Sequence, residues 1–166
     1  MKEISPLQIS ENAIELFGKD WALVTAGTYD DFNTMTVSWG MVGSLWGEPM
    51  ATVFVRPQRY THQFFEREGK YTIAFFHPDM RRILGVMGTK SGRDIDKMHY
   101  PGLTAYELPS GQIGFREAKL IIECEVVYSD VFNEADFKDK ALLNKIYPAR
   151  DLHTRYIGRI THVWAE

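Results

Sequence analysis

Cysteine is almost absent: Cys124 is the single one among 166 residues. No internal disulfide is possible, so the fold must rest on packing. "LIIECEVVY" sets that cysteine on an apolar face, where it reads as a small core residue rather than a nucleophile. A basic surplus is lacking as well. The formal net charge is −3, and no block of like charges forms a tail, which argues against a nucleic-acid partner. No apolar run reaches the length of a membrane span, and the opening "MKEISPLQISENAIELF" has no apolar signal core. The expectation is a reducing, cytoplasmic setting with no membrane contact. The five histidines, His62, His77, His99, His153 and His162, do not pair with acids or the cysteine at metal-ligand spacings, so no structural zinc site is expected. The G-x-G-x-x-G signature of a dedicated dinucleotide domain is also missing.

What is present is aromatic. Phe, Tyr and Trp reach 13% of the chain, which fits a well-filled core, a subunit interface, or stacking surfaces for a flat ligand. The length suits one domain over residues 1–166, large enough to bury roughly 70% of its unfolded surface without staples.

Strand patterns dominate. Residues 10–17 read as a short helix with Ser10 as N-cap and Gly18 as its stop. "DWALVTAGT" and "FNTMTVSWG" read as a hairpin around the polar turn "YDDFN". "GMVGSLWGEP" carries three glycines and predicts an ordered loop whose backbone comes close to something. "MATVFVR" and "KYTIAFF" read as strands, with a short helix over 61–68 between them. Met80, Ile83, Leu84 and Met87 fall on one helical face, and Gly88 suits the helix stop. In "KLIIECEVVY", Leu120, Ile122, Cys124, Val126 and Tyr128 share a face, with Lys119, Glu123 and Glu125 opposite. A helix near 134–147 and a last strand, "TRYIGRITHVWAE", complete the series. Six or more strands without regular strand–helix alternation predict a mainly β, antiparallel barrel rather than a doubly wound parallel sheet.

Three stretches could carry chemistry. In "TVFVRPQRYTHQFF", Arg56, Arg59, Tyr60 and Thr61 crowd a strand-to-helix corner. Guanidinium groups beside a helix N-terminus suit a phosphate, although Thr61 as a plain cap with solvated arginines fits the same residues. "NTMTVSWG" offers backbone groups, two hydroxyls and an indole to a flat heterocycle, or else forms a core strand. "TKSGRDIDK", with Lys90, Ser91, Arg93 and Lys97, could close over a phosphate or remain a solvated turn.

Taken in order, "NTMTVSWG", "LWGEP", "VFVRPQRYT" and the "SGRDIDK" loop resemble the flavin reductase-like family of FMN-binding split-barrel proteins, its flavoredoxin-type branch above all. The resemblance covers roughly residues 15–165. It implies a six-stranded antiparallel Greek-key split β-barrel with helical excursions, working as a homodimer with FMN at the subunit interface. It further implies that Asn33, Met35, Thr36, Val37, Ser38 and Trp39 line the isoalloxazine. Arg56, Arg59, Tyr60 and Thr61 would hold the phosphate and ribityl end. Lys90, Ser91 and Lys97 would close the phosphate side, with His153 and Tyr156 approaching the flavin from the last strand.

The activity so implied is an FMN-dependent reductase that takes hydride from NADH or NADPH and passes electrons to free flavin, iron, oxygen or a redox protein. No side chain need act as acid or base, because the hydride chemistry belongs to the cofactor. An electron carrier with tightly bound FMN and no nicotinamide site, and a non-catalytic flavin- or haem-binding protein, are the alternatives.

Overall fold

Ten strands and four short α-helices make up the computed structural model, which describes residues 1–166. The strands are β1 (Lys2–Ile4), β2 (Ala22–Thr28), β3 (Asp31–Val37), β4 (Gly40–Leu45), β5 (Glu48–Val55), β6 (Lys70–Phe76), β7 (Ala105–Glu107), β8 (Ile113–Phe115), β9 (Ala118–Val131) and β10 (Thr154–Ala165). The helices are α1 (Ala13–Glu15), α2 (His62–Glu68), α3 (Arg81–Thr89) and α4 (Lys140–Ile146). Eight strands form one antiparallel sheet in the order β3-β2-β6-β9-β10-β5-β4, with β1 added to β10, while β7 and β8 form a separate hairpin. This mainly β architecture is a split barrel, as the sequence leads one to expect. Register shifts along β10 at Ile157/Gly158 and Ile160/His162 bend the two longest strands, since an extra residue on one strand kinks and twists the ladder.

The bend wraps the sheet around a cluster of 21 buried residues that includes Phe17, Phe64, Phe65, Tyr71, Phe75 and Tyr156. A second cluster of 12, among them Phe32, Phe76, Leu84, Met87 and Phe115, lies between the sheet, α3 and the β7–β8 hairpin. No helix is long and apolar enough to cross a membrane, and no group of three metal-ligating side chains gathers anywhere.

Several local expectations are corrected. The glycine-rich segment is no loop: β4 pairs with β5 from Gly40↔Val53 to Leu45↔Glu48. Trp46 and Gly47 form its two-residue turn with φ of 54° and 77°, the doubly left-handed backbone that tight hairpins require. Of the three glycines only Gly40 is crowded, since a Cβ there would lie 2.2 Å from the Phe17 ring. Asn12 rather than Ser10 caps α1, its Oδ1 accepting from the N–H groups of Ile14 and Glu15. Gly18 lies within the π-helical turn Leu16–Asp20 instead of ending a helix. Gly88 lies inside α3, which ends at Thr89 with Lys90 as its C-cap. There its bare Cα lets the helix approach Thr36, whose side chain a Cβ would meet at 3.2 Å.

Glu123 is expected on an outward polar face and is instead fully buried. Its carboxylate accepts from Ser110, from Gln112 Nε2 at 3.2 Å and from the Trp164 indole. Strand β9 runs between β6 and β10 in mid-sheet, with the β7–β8 hairpin against its first half, so both faces are covered around Glu123, whereas the far end from Val127 onward is largely exposed.

Candidate functional site

Two adjoining clefts open along one side of the barrel. The first, about 220 Å³, lies between the turn after β5, the end of α3 and the turn that follows it. Asn33, Gln58, Arg59, Tyr60, Thr61, Gly88, Thr89, Lys90, Ser91, Gly92 and Lys97 line it. The second, about 170 Å³, is walled by the run Met35–Trp39 with Phe54, Arg56, Arg59 and His153. Arg59 lines both, so the two clefts adjoin at that side chain, one the polar end and the other the flatter end. A larger hollow of about 430 Å³ beside Tyr29 and His99 has neither lysine nor arginine in its wall.

The polar end is built by three connected segments. Thr61 stands at the N-cap position of α2, yet its side chain makes no capping bond. It is buried, and its Oγ1 accepts a 2.7 Å hydrogen bond from Asn33 Nδ2, which leaves the hydroxyl proton to donate. Gly92 packs so closely on this pair that a Cβ would lie 2.0 Å from Asn33 Oδ1 and 2.9 Å from the Tyr60 ring. The Arg93 guanidinium lies 4.6 Å over that ring. Ser91 organises its own turn, its Oγ accepting from the Arg93 N–H at 3.1 Å. Lys90 is exposed at the rim.

Charge sets this end apart. Lys97 is only 4% exposed, and its ammonium donates to the carbonyls of Thr34 at 2.9 Å and Met87 at 2.8 Å. Burial, and then the charge of Arg59, bring its pKa down to about 8. Burial and then Arg56 likewise lower Arg59. Neither cation has a carboxylate partner among the ion pairs. Cations withdrawn from water without a counter-ion are costly, so the arrangement calls for an anion.

The flatter end is held differently. Arg56 departs from the expected role. It pairs with Asp151, donates to the Ile146 carbonyl at 3.1 Å and lies 5.3 Å over the Tyr147 ring. It thereby ties the segment before β10 to the strand end, and it lines the second cleft whereas the lysines line the first. His153 shares a 2.8 Å hydrogen bond with the Tyr147 hydroxyl and lies 5.1 Å from the Trp39 ring. Burial, with the charge of Arg56 next, lowers its pKa to about 4, so the imidazole is neutral. Thr36 spends its hydroxyl proton on the Leu84 carbonyl. Met35 and Val37 are buried, whereas Trp39 is 44% exposed.

Fourteen of the fifteen residues singled out from sequence therefore line one or other cleft. Tyr156 does not: its ring belongs to the main core and its hydroxyl donates to Glu66. Gln58, Gly88, Thr89, Gly92 and Phe54 also line the clefts and escaped the sequence reading. Gln58, between the two arginines, had a positional signal. The glycines had none, because their role is the closeness of a distant strand.

The flavin reductase like domain family matches residues 15–166. The chain belongs to that family. A search of curated proteins returns no match. Among solved structures, flavoredoxin from Methanosarcina acetivorans is 20% identical with a TM-score of 0.67, covering 89% of this chain and 68% of its own. An FMN-binding protein from Thermus thermophilus is also 20% identical, with a TM-score of 0.69 over 100% of this chain and 82% of its own. The styrene monooxygenase flavin reductase of Pseudomonas putida S12 is 19% identical, with a TM-score of 0.66 over 92% of this chain and 83% of its own. At such identities the likeness is one of fold. Family membership supports a flavin-binding, reductase-type function for the chain.

Proposed function

We propose that the chain is an FMN-dependent reductase that uses NADH or NADPH and works as a cytoplasmic homodimer. One observation carries the proposal: Lys97 and Arg59 face one small polar cleft with no acid to balance them. A phosphate dianion supplies that balance, through charge-assisted hydrogen bonds. The residues present fit the group. Lys97 has a third N–H beyond its two carbonyl bonds, Arg59 a free guanidinium, and Thr61 an unspent proton. Gly92 and Gly88 let the walls pack closely on Asn33, Tyr60 and Thr36, where a side chain would push them apart.

With the phosphate there, the run Met35–Trp39 beyond Arg59 would hold the ring end of FMN. When bound, the flavin supplies the chemistry of accepting hydride from a reduced nicotinamide and giving up electrons. The chain's part is orientation and electrostatics. Backbone groups from Met35 to Trp39 and the Ser38 hydroxyl would address the ring edge. Neutral His153, fixed by Tyr147, offers a hydrogen-bonding group without a charge. Arg56 is satisfied by Asp151, and so steadies the wall.

The homodimer has its own support. Met41, Thr52, Ile157 and Tyr128 stand in cross-strand register on the outer face of β4, β5, β10 and β9. Met41 is 58% and Tyr128 43% exposed, two apolar side chains at the ends of that row that a second copy would cover.

The deciding experiment mixes FMN-loaded protein with NADH or NADPH without oxygen and follows the flavin absorption band. Rapid bleaching is expected with at least one of them. A band that persists with both would replace the reductase by an electron carrier, and protein unable to retain FMN would remove both.

A further inference from the structure

Trp39 has a second side. Its ring helps line a separate groove of about 710 Å³ between the ends of β9 and β10, the segment 132–139 and α4. Six rings run in contact from the barrel wall to the flatter cleft. Phe54 stacks on Phe132 at 5.5 Å, Phe132 meets Phe137 at 6.1 Å and Phe137 meets Tyr147 at 5.9 Å. Tyr147 then meets His153 at 5.5 Å, and His153 meets Trp39 at 5.1 Å. Val131 and Leu142, 59% and 48% exposed, close the sides. The volume falls in the range of small-molecule sites, which are concave, mostly apolar and furnished with few polar groups.

The charges around the groove narrow its occupant. Arg155 is committed to Asp130 through two hydrogen bonds of 2.9 and 2.8 Å. Asp139 is committed to the N-terminus of α4, accepting from the Leu142 N–H at 2.9 Å. Asp136 and Lys138, both exposed, remain and offset each other. Three acids against two bases give a wall slightly hostile to anions, with no free cation set for a pyrophosphate. A dinucleotide is thus a poor fit. Flat apolar molecules without charge are a good one, since aromatic rings bind one another edge-to-face or offset.

We propose that this groove is a second binding site, for a flat, uncharged aromatic small molecule held against Trp39 beside the cofactor cleft. Because both sites share that indole, occupancy of one is felt at the other. The assignment builds on the proposed flavin site only for this coupling. The groove itself stands independently of what the polar cleft binds.

The test is calorimetric titration of the FMN-loaded protein with coumarin, a neutral two-ring probe, and with coumarin-3-carboxylate. One saturable coumarin site per chain is expected, with the carboxylate at least tenfold weaker and a shift of the flavin band on saturation. Leu142→Lys and Val131→Lys change exposed positions, so folding is not at stake. Each should weaken coumarin at least tenfold while FMN affinity stays within twofold. Absence of saturable binding, equal binding to both variants, or equal binding of the carboxylate would overturn the proposal. So would variants that lose coumarin only because the protein changes its elution volume, which would make the groove a contact between copies. FMN retention is measured on the same samples, so failure of the flavin reading is seen separately.

Discussion

At the scale of single residues, Lys97 is the most informative. An amine withdrawn from water titrates early, because burial penalises its charged form. Below about pH 8 it carries its charge in the free chain, and a phosphate dianion gains a partner. Above that, binding must first restore the proton, so FMN affinity should fall as the pH climbs from 8 toward 10. Fluorescence titrations across that range check the slope. Riboflavin, which lacks the phosphate, should show no such dependence, and Lys97→Gln should flatten it for FMN. Arg59 works beside it without any carboxylate partner. Arg59→Ala should weaken FMN by roughly 1.5–3 kcal/mol, the range for hydrogen bonds to charged groups. Its thermal unfolding should change little, since this half-buried side chain holds no other element in place.

Elements add constraints that no single residue declares. Gly40 opens β4 where the Phe17 ring passes underneath, and that ring is itself wedged edge-on against Phe75 at 5.2 Å. Gly40→Ala should therefore overpack the core and cost about 1–3 kcal/mol. A melting point lowered by roughly 2–4 °C for each kcal/mol would be the sign, and an unchanged one would show that Phe17 can step aside. Sequence pattern reaches this scale unevenly. Strands such as Lys70–Phe76 are legible because continuous apolar runs have nowhere to go but the interior. Strand β4 was not, since glycine weakens strand signals and its pairing depends on β5. Glu123 misleads for a related reason: alternation assumes a wet outer face, and the first half of β9 has none. Thr61 stands at the N-cap position the sequence predicts but makes no capping bond, because its hydroxyl is engaged by Asn33, 28 positions away. Tyr156 shares the last strand with residues near the cleft, and strand parity turns it inward.

For the whole molecule, family membership over residues 15–166 and the observed sheet order agree on the barrel. Most cleft residues were legible because they cluster in three short stretches that the fold brings side by side. What stayed hidden is what depends on depth, namely which cations lose their water. Assembly belongs to this scale too. Met41→Lys places a charge at the edge-strand end of the outer row, at its most exposed apolar member, and it should convert a dimer to monomer in size-exclusion chromatography with light scattering. FMN affinity should fall at least tenfold with it if the partner completes the cofactor site. A variant that remains dimeric and keeps its affinity would move the interface elsewhere. Cys124 also takes its meaning from the whole. It is fully buried, and burial raises its thiol pKa far above the ordinary range. Maleimides and disulfide reagents can reach it only when the barrel comes apart, so the pace of its labelling is a clock for global opening. The lone thiol that cannot staple the fold can thus time its failure.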